Sequence, residues 1–377
     1  MASVERKIDS TGKITWQARW RDPAGASRKA TFPRKVDAAR HLAGIESDKI
    51  RGSYVDPVRG RVTVGDWSEQ WLAGQAQLKE SARARYAGIV TKHVIPQWGR
   101  LPLAAVTHAE VASWVAELAA SGLAGSTVRY VHRVLFMALE LAVRDGRIAR
   151  NPAAEVRLPR ARRPEKRFLT HEQVRALADA AGPHRAVILT LAYCGLRWGE
   201  LAALRVQGVD PLRRRLLVTE AVTEVGGRLV WGTPKDHQCR EVPLPRFLAD
   251  ALAEQVAGRG PQDLVFTTAR GAVLRNLNFR RDAFDRAATQ AGLDGLTPHE
   301  LRHTAAALAI SAGANVKAVQ RMLGHASAAM TLDVYAGLFD ADLDGMADRL
   351  GLAHDSLVPL ACPQAKITDL AEHRASI

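Results

Sequence analysis

The chain has few cysteines and no long apolar stretch. Its three cysteines, Cys194, Cys239 and Cys362, are odd in number and are not spaced as metal ligands, so the sequence predicts neither a disulfide framework nor a metal site. No apolar run reaches the roughly 20 residues that cross a membrane, and the polar segment from Met1 to Lys13 lacks the apolar core of a secretory signal. The sequence therefore predicts a protein of a reducing compartment, the cytoplasm, without a membrane partner.

Acidic residues are the other scarce group. The 39 Asp and Glu residues are outnumbered by 53 Lys and Arg residues, which gives a net charge of +14 and a sequence pI of about 10.2. This excess predicts a polyanionic partner, most simply nucleic acid. The alternative is a basic surface that is merely solvated, and the spread of the surplus over several segments argues against it. With 377 residues, 47% of them hydrophobic, the chain is long enough for two or three globular domains.

Residues 1–60 have the pattern of a small module of two strands and a helix. The predicted elements are a strand at Ile14–Trp20 with alternating apolar and polar residues, a turn at Asp22–Gly25, a strand at Arg28–Phe32 and a helix at Val36–Arg51 that ends before Gly52. A short basic sheet of this kind fits a DNA groove, and the predicted contacts are Arg19, Arg28 and Lys29. The alternative is a basic sheet that meets only solvent.

Residues 61–159 are predicted to form a helical domain. Its helices begin near Asp66, Ser81, Thr107 and Ser126, and Thr107 with Glu110 predicts a capping box. Their basic faces supply three predicted DNA contacts, Arg83, Arg85 and Arg133, although charged helix faces are usually only solvent faces. Residues 160–167 form an extended basic linker, in which Arg162 and Arg163 would follow a phosphate backbone.

Residues 168–352 are predicted to form a mixed domain, with a tail at 353–377. This domain begins with helices, passes through strands at Leu216–Glu224, Arg228–Trp231 and Arg240–Leu244, and returns to helices from about Asn276. Gly226-Gly227 predicts a hairpin turn. The chain is therefore expected to have an α+β, mainly α fold. A small N-terminal sheet-and-helix module precedes the helical domain and a mostly α-helical last domain with a small antiparallel sheet.

Two glycines in the last domain each end a helix shortly before a basic residue. Gly195 ends an apolar helix, and Arg197 then comes at the start of the next helix. Glu200 lies one turn further along and is predicted to orient Arg197 by an ion pair. Gly324 ends a later helix, and His325 follows it directly.

A second helix start lies between these two glycines. Thr297-Pro298-His299-Glu300 supplies the cap, the proline and the glutamate of a capping box. His299 and Arg302 share a face of the first turn, where the helix dipole favours an anion such as phosphate. Tyr335, the last tyrosine in the chain, follows. Arginines that hold phosphate oxygens, donors that move protons and a phenol with a pKa near 10 together fit chemistry on a phosphodiester.

These motifs resemble those of the tyrosine recombinase family, and the chain from about residue 10 to 350 resembles its phage-type integrases. The resemblance implies one role for each matched residue. Arg197 and Arg302 would bind the scissile phosphate, His325 would hydrogen-bond it, His299 would assist proton transfer, Lys235 on a hairpin would protonate the leaving 5′ oxygen, and Tyr335 would form a 3′-phosphotyrosyl bond. His303 is expected to pack in the core or to support a reacting group, rather than to react itself. The resemblance implies no metal, no ATP and no other cofactor.

The resemblance further implies a site-specific recombinase that integrates or excises a mobile element. Its partner would be double-stranded DNA, with the N-terminal module on arm sites and the other two domains around the core site. A homotetramer on DNA is expected, and the need for a directionality factor or a host DNA-bending protein stays open. The alternatives are a type IB topoisomerase and a DNA-binding regulator without activity. The three-module layout favours an integrase, and the competent residues at all six matched positions argue against an inactive regulator.

Overall fold

The computed structural model describes most of the chain. The described residues are 2–8, 12–23, 25–51, 54–56, 58–161, 166–234, 239–340, 348, 350–352 and 354, and for 336–340 only the backbone is described. Arg162, Arg163 and Lys235 lie outside these ranges, as does nearly all of the tail. The chain divides into two compact units, residues 1–164 with 225–227 and residues 165–224 with 228–377. Within the described ranges, no helix has the length and apolar character needed to cross a membrane.

The first unit begins with a three-stranded antiparallel sheet packed on one helix. The elements are β1 (Ser3–Ile8), β2 (Ile14–Arg21), β3 (Ser27–Phe32) and α1 (Lys35–Ile50), in the sheet order β1-β2-β3. Ala18 and Trp20 of β2 pack on Leu42 and Ile45 of α1, as the alternation in β2 predicts. β1 was not predicted from the sequence, because its residues do not alternate between apolar and polar. It is a strand because it pairs with β2.

A helical bundle completes the first unit. Its helices are α2 (Val64–Ala73), α3 (Glu80–Ile89), α4 (Ile95–Trp98), α5 (His108–Ala120) and α6 (Gly125–Arg144). A π turn at Val90–Val94 joins α3 to α4, so the predicted helix from Ser81 continues to Trp98. The predicted capping box of Thr107 and Glu110 starts α5. In α6 the buried Val128, Val131, Leu135 and Leu139 recur every three or four residues and face the core.

The second unit is mainly helical with two small sheets. Its helices are α7 (His171–Ala180), α8 (Arg185–Cys194), α9 (Trp198–Ala202), α10 (Arg246–Val256), α11 (Asn276–Phe279), α12 (Asp285–Gln290), α13 (Pro298–Ser311), α14 (Val316–Leu323) and α15 (Ala328–Asp340). Its strands are β4 (Val209–Asp210), β5 (Arg215–Val218), β6 (Ala221–Val225), β7 (Arg228–Gly232) and β8 (Arg240–Pro243). The apolar helix α8 is almost wholly buried and packs along α13. The expected mainly α architecture is confirmed.

The strand prediction for this unit needs one correction. The predicted single strand Leu216–Glu224 is two strands, β5 and β6, because the chain leaves the first sheet at Thr219 and Glu220. β5 lies between β4 and β8, whereas β6 pairs with β7 alone among the strands that the structure describes. The predicted turn at Gly226-Gly227 joins β6 to β7, and both glycines have positive φ angles, as a tight hairpin requires. The register pairs Val218 with Arg240, which places Arg240 at the start of β8.

Candidate active site

Arg197 lies at a sharp corner between α8 and α9. Gly195 ends α8 with φ +64°, and a Cβ at this position would lie 2.8 Å from Cδ2 of Leu323, so both the backbone conformation and the space require glycine. Arg197 is the N-cap of α9, and its backbone N–H donates to Glu200 Oε2 over 2.9 Å. Its Nη1 donates to Glu200 Oε1, also over 2.9 Å. The structure thus contains the ion pair that the sequence spacing predicts.

Arg302 lies one turn into α13 and is buried, with 4% of its surface exposed. The predicted capping box of Thr297 and Glu300 starts this helix. The guanidinium of Arg302 donates from Nη1 to the Gly195 carbonyl and from Nη2 to the Leu323 carbonyl, each over 2.5 Å. Burial, with the nearby charge of Arg197, lowers the pKa of Arg302 to about 9. The side chain is still a cation at neutral pH, and a bound anion would stabilise its charge further.

A third arginine, Arg240 of β8, joins this cluster, and the sequence analysis assigned it no role. It donates from Nη1 and Nη2 to the two carboxylate oxygens of Glu200, over 2.9 and 2.6 Å. Burial of Glu200 opposes its ionisation, but the hydrogen bonds and charges of Arg240 and Arg197 outweigh that effect and lower the Glu200 pKa. Glu200 is therefore an ionised carboxylate held by two arginines.

The C-terminal end of α14 receives all three arginines. Arg240 Nε donates to the Met322 carbonyl over 3.1 Å, Arg302 to that of Leu323, and Arg197 Nη2 to that of Gly324 over 3.2 Å. Guanidinium groups suit this place, because the last carbonyls of a helix lack intrahelical partners and carry its negative dipole end. Beside them is a cleft of about 660 Å³. Its lining includes Arg197, Arg240, Gly324 and His325.

Tyr335 lies on α15 and is buried, with only 2% of its surface exposed. Its hydroxyl is 2.7 Å from Nδ1 of His303, and the ring of Phe168 lies 6.1 Å from its own. Burial raises the pKa of Tyr335 to about 12, and the charge of Arg302 acts in the opposite direction. The pKa of His303 is lowered to about 4, mainly by burial and then by His299. At neutral pH the imidazole is therefore uncharged, and one hydrogen bond joins it to the protonated phenol.

The sequence indicated a packing or supporting role for His303 without indicating its partner, the hydroxyl of Tyr335. One signal was available: His299 and His303 are four residues apart on α13, so they share a face. Their rings are 5.1 Å apart in an edge-to-face arrangement. The structure therefore places His303 between His299 and the hydroxyl of Tyr335.

His325 follows the end of α14, where Gly324 adopts φ +64°. Its Nδ1 is 3.0 Å from the hydroxyl of the buried Thr331. Thr331 and Tyr335 are four residues apart and lie on one face of α15. The loop between α14 and α15 is residues 324–327, and Tyr335 is the eighth residue of α15.

The outer face of the N-terminal sheet carries two of the three predicted DNA contacts of that module. Arg19 and Lys29 are directly opposed on β2 and β3, and both are exposed on the face that α1 does not cover. Arg19 also contacts Gln17 and Glu5. Arg28 lies on the other face, where it forms ion pairs with the buried carboxylates of Asp22 and Asp56. Its contacts hold the turn and the segment after α1, and the prediction that it binds DNA remains untested.

The predicted contacts in the helical bundle are all exposed. Arg83 and Arg85 lie on α3 and Arg133 on α6. The guanidinium of Arg85 stacks on the ring of Tyr130, 3.8 Å from its centre. This stacking leaves the charge at the surface, so the structure is compatible with a nucleic-acid contact here.

Acidification is expected to destabilise the protein through His303. The folded-state pKa of about 4 lies below the ordinary value of 6.5. Between these two pH values the unfolded chain therefore binds a proton at His303 and the folded chain does not. The resulting stability is fully present above pH 6.5 and is lost as pH falls towards 4. Urea unfolding at several pH values checks this, with His303→Gln as the comparison, because glutamine accepts the hydrogen bond without titrating. An equally steep loss of stability in that variant would contradict the assignment.

Several known proteins are similar to this chain in sequence or in fold. The family model described as the phage integrase family matches residues 167–341. The integrase of Mycobacterium phage D29 is 30% identical over 282 residues, 72% of this chain and 74% of that protein. The tyrosine recombinase XerC of Mycobacterium bovis is 33% identical over 267 residues, 66% of this chain and 84% of that protein. A lambda integrase tetramer bound to a Holliday junction shares the fold, with a TM-score of 0.56, 20% identity and coverage of 85% of this chain and 95% of that one.

The fold and these relatives define a tyrosine recombinase, an enzyme that cuts and rejoins DNA at specific sites. The chain belongs to the phage integrase family, as the family match and the identity with the D29 integrase show.

Proposed function

We propose that the chain moves a mobile element into and out of DNA through a covalent bond between Tyr335 and a DNA 3′ phosphate. Arg197 and Arg302 hold the scissile phosphate, with His325 beside them. The observation that carries this proposal is the convergence of both arginines on the end of α14, next to His325, in the unit that also holds Tyr335.

The charge of the cluster suits a phosphodiester. Arg197, Arg240 and Arg302 contribute three guanidinium groups against the single carboxylate of Glu200, which leaves two positive charges in excess among these four side chains. A phosphodiester carries one negative charge, and attack by a phenolate adds a second in the transition state. Charge that is fixed in place before the reaction stabilises such a transition state without reorganisation.

The reaction exchanges one phosphoester bond for another. His299 assists removal of the phenolic proton, the oxygen of Tyr335 bonds to phosphorus, and the bond from phosphorus to the 5′ oxygen breaks. Lys235 donates a proton to that leaving oxygen. The 5′ hydroxyl of a partner strand then attacks the phosphotyrosyl bond and releases Tyr335, so the exchange needs no external energy source.

Tyr335 must leave its buried position for cleavage. The residue is 2% exposed and its hydroxyl is bonded to His303, so α15 has to shift or the side chain has to turn before the hydroxyl reaches a backbone phosphate. Arg302 precedes His303 in sequence, and its charge opposes the rise in the Tyr335 pKa that burial causes.

Each domain has its own proposed DNA-binding role. We assign arm-site binding to residues 1–60, core-site binding to residues 61–159 and 168–352, and contacts with the phosphate backbone to the basic residues of 160–167. The outward-facing Arg19 and Lys29 support the first assignment. A homotetramer is the active assembly, supported by the lambda integrase tetramer on a Holliday junction, and the protein works on DNA in the cytoplasm.

Covalent capture tests this function. The chain is incubated with a nicked suicide duplex that carries the element's attachment site, and the adduct is digested and mapped by mass spectrometry. We expect DNA linked to the peptide that contains Tyr335. A topoisomerase of type IB would relax supercoiled DNA that lacks the site but would not recombine two site-bearing duplexes. An inactive regulator would bind the duplex without an adduct.

Substitution of the outer sheet face is expected to separate arm binding from cleavage. In Arg19→Ala/Lys29→Ala, arm-site affinity falls and its salt dependence weakens by about two counterions, because each lost phosphate contact removes about one. Core-site cleavage is unchanged. Affinities measured across salt concentrations check this.

The control for this prediction is Arg40→Ala/Arg51→Ala. It removes the same charge from exposed positions in and just after α1, which covers the opposite face of the sheet. Equal losses in both double variants would show that net charge, rather than this face, binds the arm site.

A further inference from the structure

The carboxylate of Glu200 forms ion pairs with two of the three clustered arginines, Arg197 and Arg240. Its side chain is 1% exposed. Oε1 accepts from Arg197 Nη1 and Arg240 Nη1, and Oε2 accepts from the Arg197 backbone N–H and Arg240 Nη2. Each oxygen thus has two donors, which matches its two lone pairs. The two arginines therefore fill the hydrogen-bonding capacity of the carboxylate.

Arg240 is fixed at its other edge by the end of α14. Its Nε donates to the Met322 carbonyl, and its side chain is 9% exposed. A Cβ on Gly324 would lie 3.0 Å from Arg240 Cδ and 3.2 Å from Nε, so the glycine also makes room for this side chain. Arg240 therefore ties β8 to the start of α9 and to the end of α14, three elements far apart in sequence.

We infer that Arg240 is a positioning residue for strand cleavage: it holds Glu200 ionised and in place, and through Glu200 it sets the position of the Arg197 guanidinium. The inference rests on the proposed role of Arg197 as a phosphate ligand. It gives the third arginine of the cluster a defined role that the sequence spacing did not indicate.

The loss of Arg240 has a specific physical consequence. A buried carboxylate deprived of its bidentate partner becomes harder to ionise, so the Glu200 pKa rises. Once Glu200 is protonated, Arg197 loses the partner that orients it. Misplacement of a reacting or binding group by about 1 Å can cost about 100-fold in rate. DNA affinity, which depends on many phosphate contacts, changes little.

Arg240 could instead act directly on the phosphate, and the two roles predict different double variants. Arg240→Gln, Glu200→Gln and their combination are compared as rates of covalent adduct formation on the nicked suicide duplex at saturating DNA. Positioning through Glu200 predicts a loss of about 10- to 100-fold in each single variant, and a double variant no slower than the slower single variant. A double loss equal to the product of the single losses would mean direct contact and would overturn the inference.

The pH profile gives a second readout. In Arg240→Gln the rate is expected to rise more steeply with pH than in the unchanged chain, because Glu200 must now lose its proton at a higher pH. Arg185→Gln is the matched control, since Arg185 pairs with Asp179 over 2.9 Å in the same unit but at the exposed surface. Its rate and pH profile are expected to be unchanged.

Arg240→Lys keeps the experiment decisive if the glutamine variant does not fold. Lysine retains the charge but cannot bridge both oxygens of Glu200 and reach Met322 as well, so an intermediate rate is expected. A full rate in Arg240→Lys, or in a folded Arg240→Gln, overturns the inference alone. If the unchanged chain forms no adduct at Tyr335, the proposed function fails, and the inference fails with it.

Discussion

Tyr335→Phe is expected to abolish covalent capture of DNA while leaving DNA binding intact. The phenol oxygen is the atom that would bond to phosphorus, and phenylalanine has none. The ring would still fill the buried site beside Phe168, so the loss is confined to the hydrogen bond with His303, worth about 1 kcal/mol. The variant should therefore fold and bind. Denaturing gels of the suicide-substrate reaction measure the adduct, and gel-shift titration measures binding.

Tyr193→Phe is the matched control for this prediction. The hydroxyl of Tyr193 lies 2.7 Å from Nδ1 of His171, the same separation as in the pair of Tyr335 and His303. It therefore loses the same kind of contact in the same unit without losing the proposed nucleophile. An adduct that persists in Tyr335→Phe, or disappears equally in Tyr193→Phe, would refute the assignment of Tyr335.

Arg302→Lys is expected to lower the rate of adduct formation by about 100-fold or more. Loss of one pre-positioned donor of an anion site typically has an effect of this size. Arg302 spans from the Gly195 carbonyl to the Leu323 carbonyl, which a single ammonium group cannot do with the same geometry. Because lysine keeps the positive charge, a lower rate in this variant reflects the lost geometry rather than a lost charge. Rates at saturating DNA are the measurement.

The pH dependence of Arg302→Lys carries further information. The site already lowers the pKa of an arginine to about 9, so a lysine there will have a pKa below its ordinary value of about 10.4. Its charge is lost as pH rises, and the rate of the variant should fall relative to that of the unchanged chain above neutral pH. Arg205→Lys, at the partly exposed pair with Glu220, serves as the control. A normal rate in Arg302→Lys at every pH would contradict the phosphate-binding role.

Secondary structure in the second unit followed closely from the sequence where the signals are local. Thr297 and Glu300 cap α13, Gly195 ends α8 and Gly324 ends α14, as predicted. Each of these signals depends on residues within one helical turn, whose hydrogen bonds close over three or four positions. The strands were harder to predict from the sequence. β1 has no alternation, and the break between β5 and β6 depends on which strand each half pairs with.

The side-chain partners could not be read from spacing. Arg240 and Glu200 are 40 residues apart, Arg302 and the Gly195 carbonyl 107, and His303 and Tyr335 32. Arg28 illustrates the same limit: in sequence it is one more basic residue of a strand, but in the structure it faces Asp22 and Asp56. Charge and spacing therefore indicated candidate residues without indicating which of them neutralise each other.

The sequence by itself determined the family, the order of the catalytic candidates and the helix ends that carry them, because caps, stops and motifs are contained in short segments. Only the tertiary structure decided that three arginines meet at the last carbonyls of α14, that Glu200 joins two of them, and that Tyr335 is bonded to His303. Those contacts depend on packing between distant segments. Burial there sets the pKa values of Arg302, His303 and Tyr335.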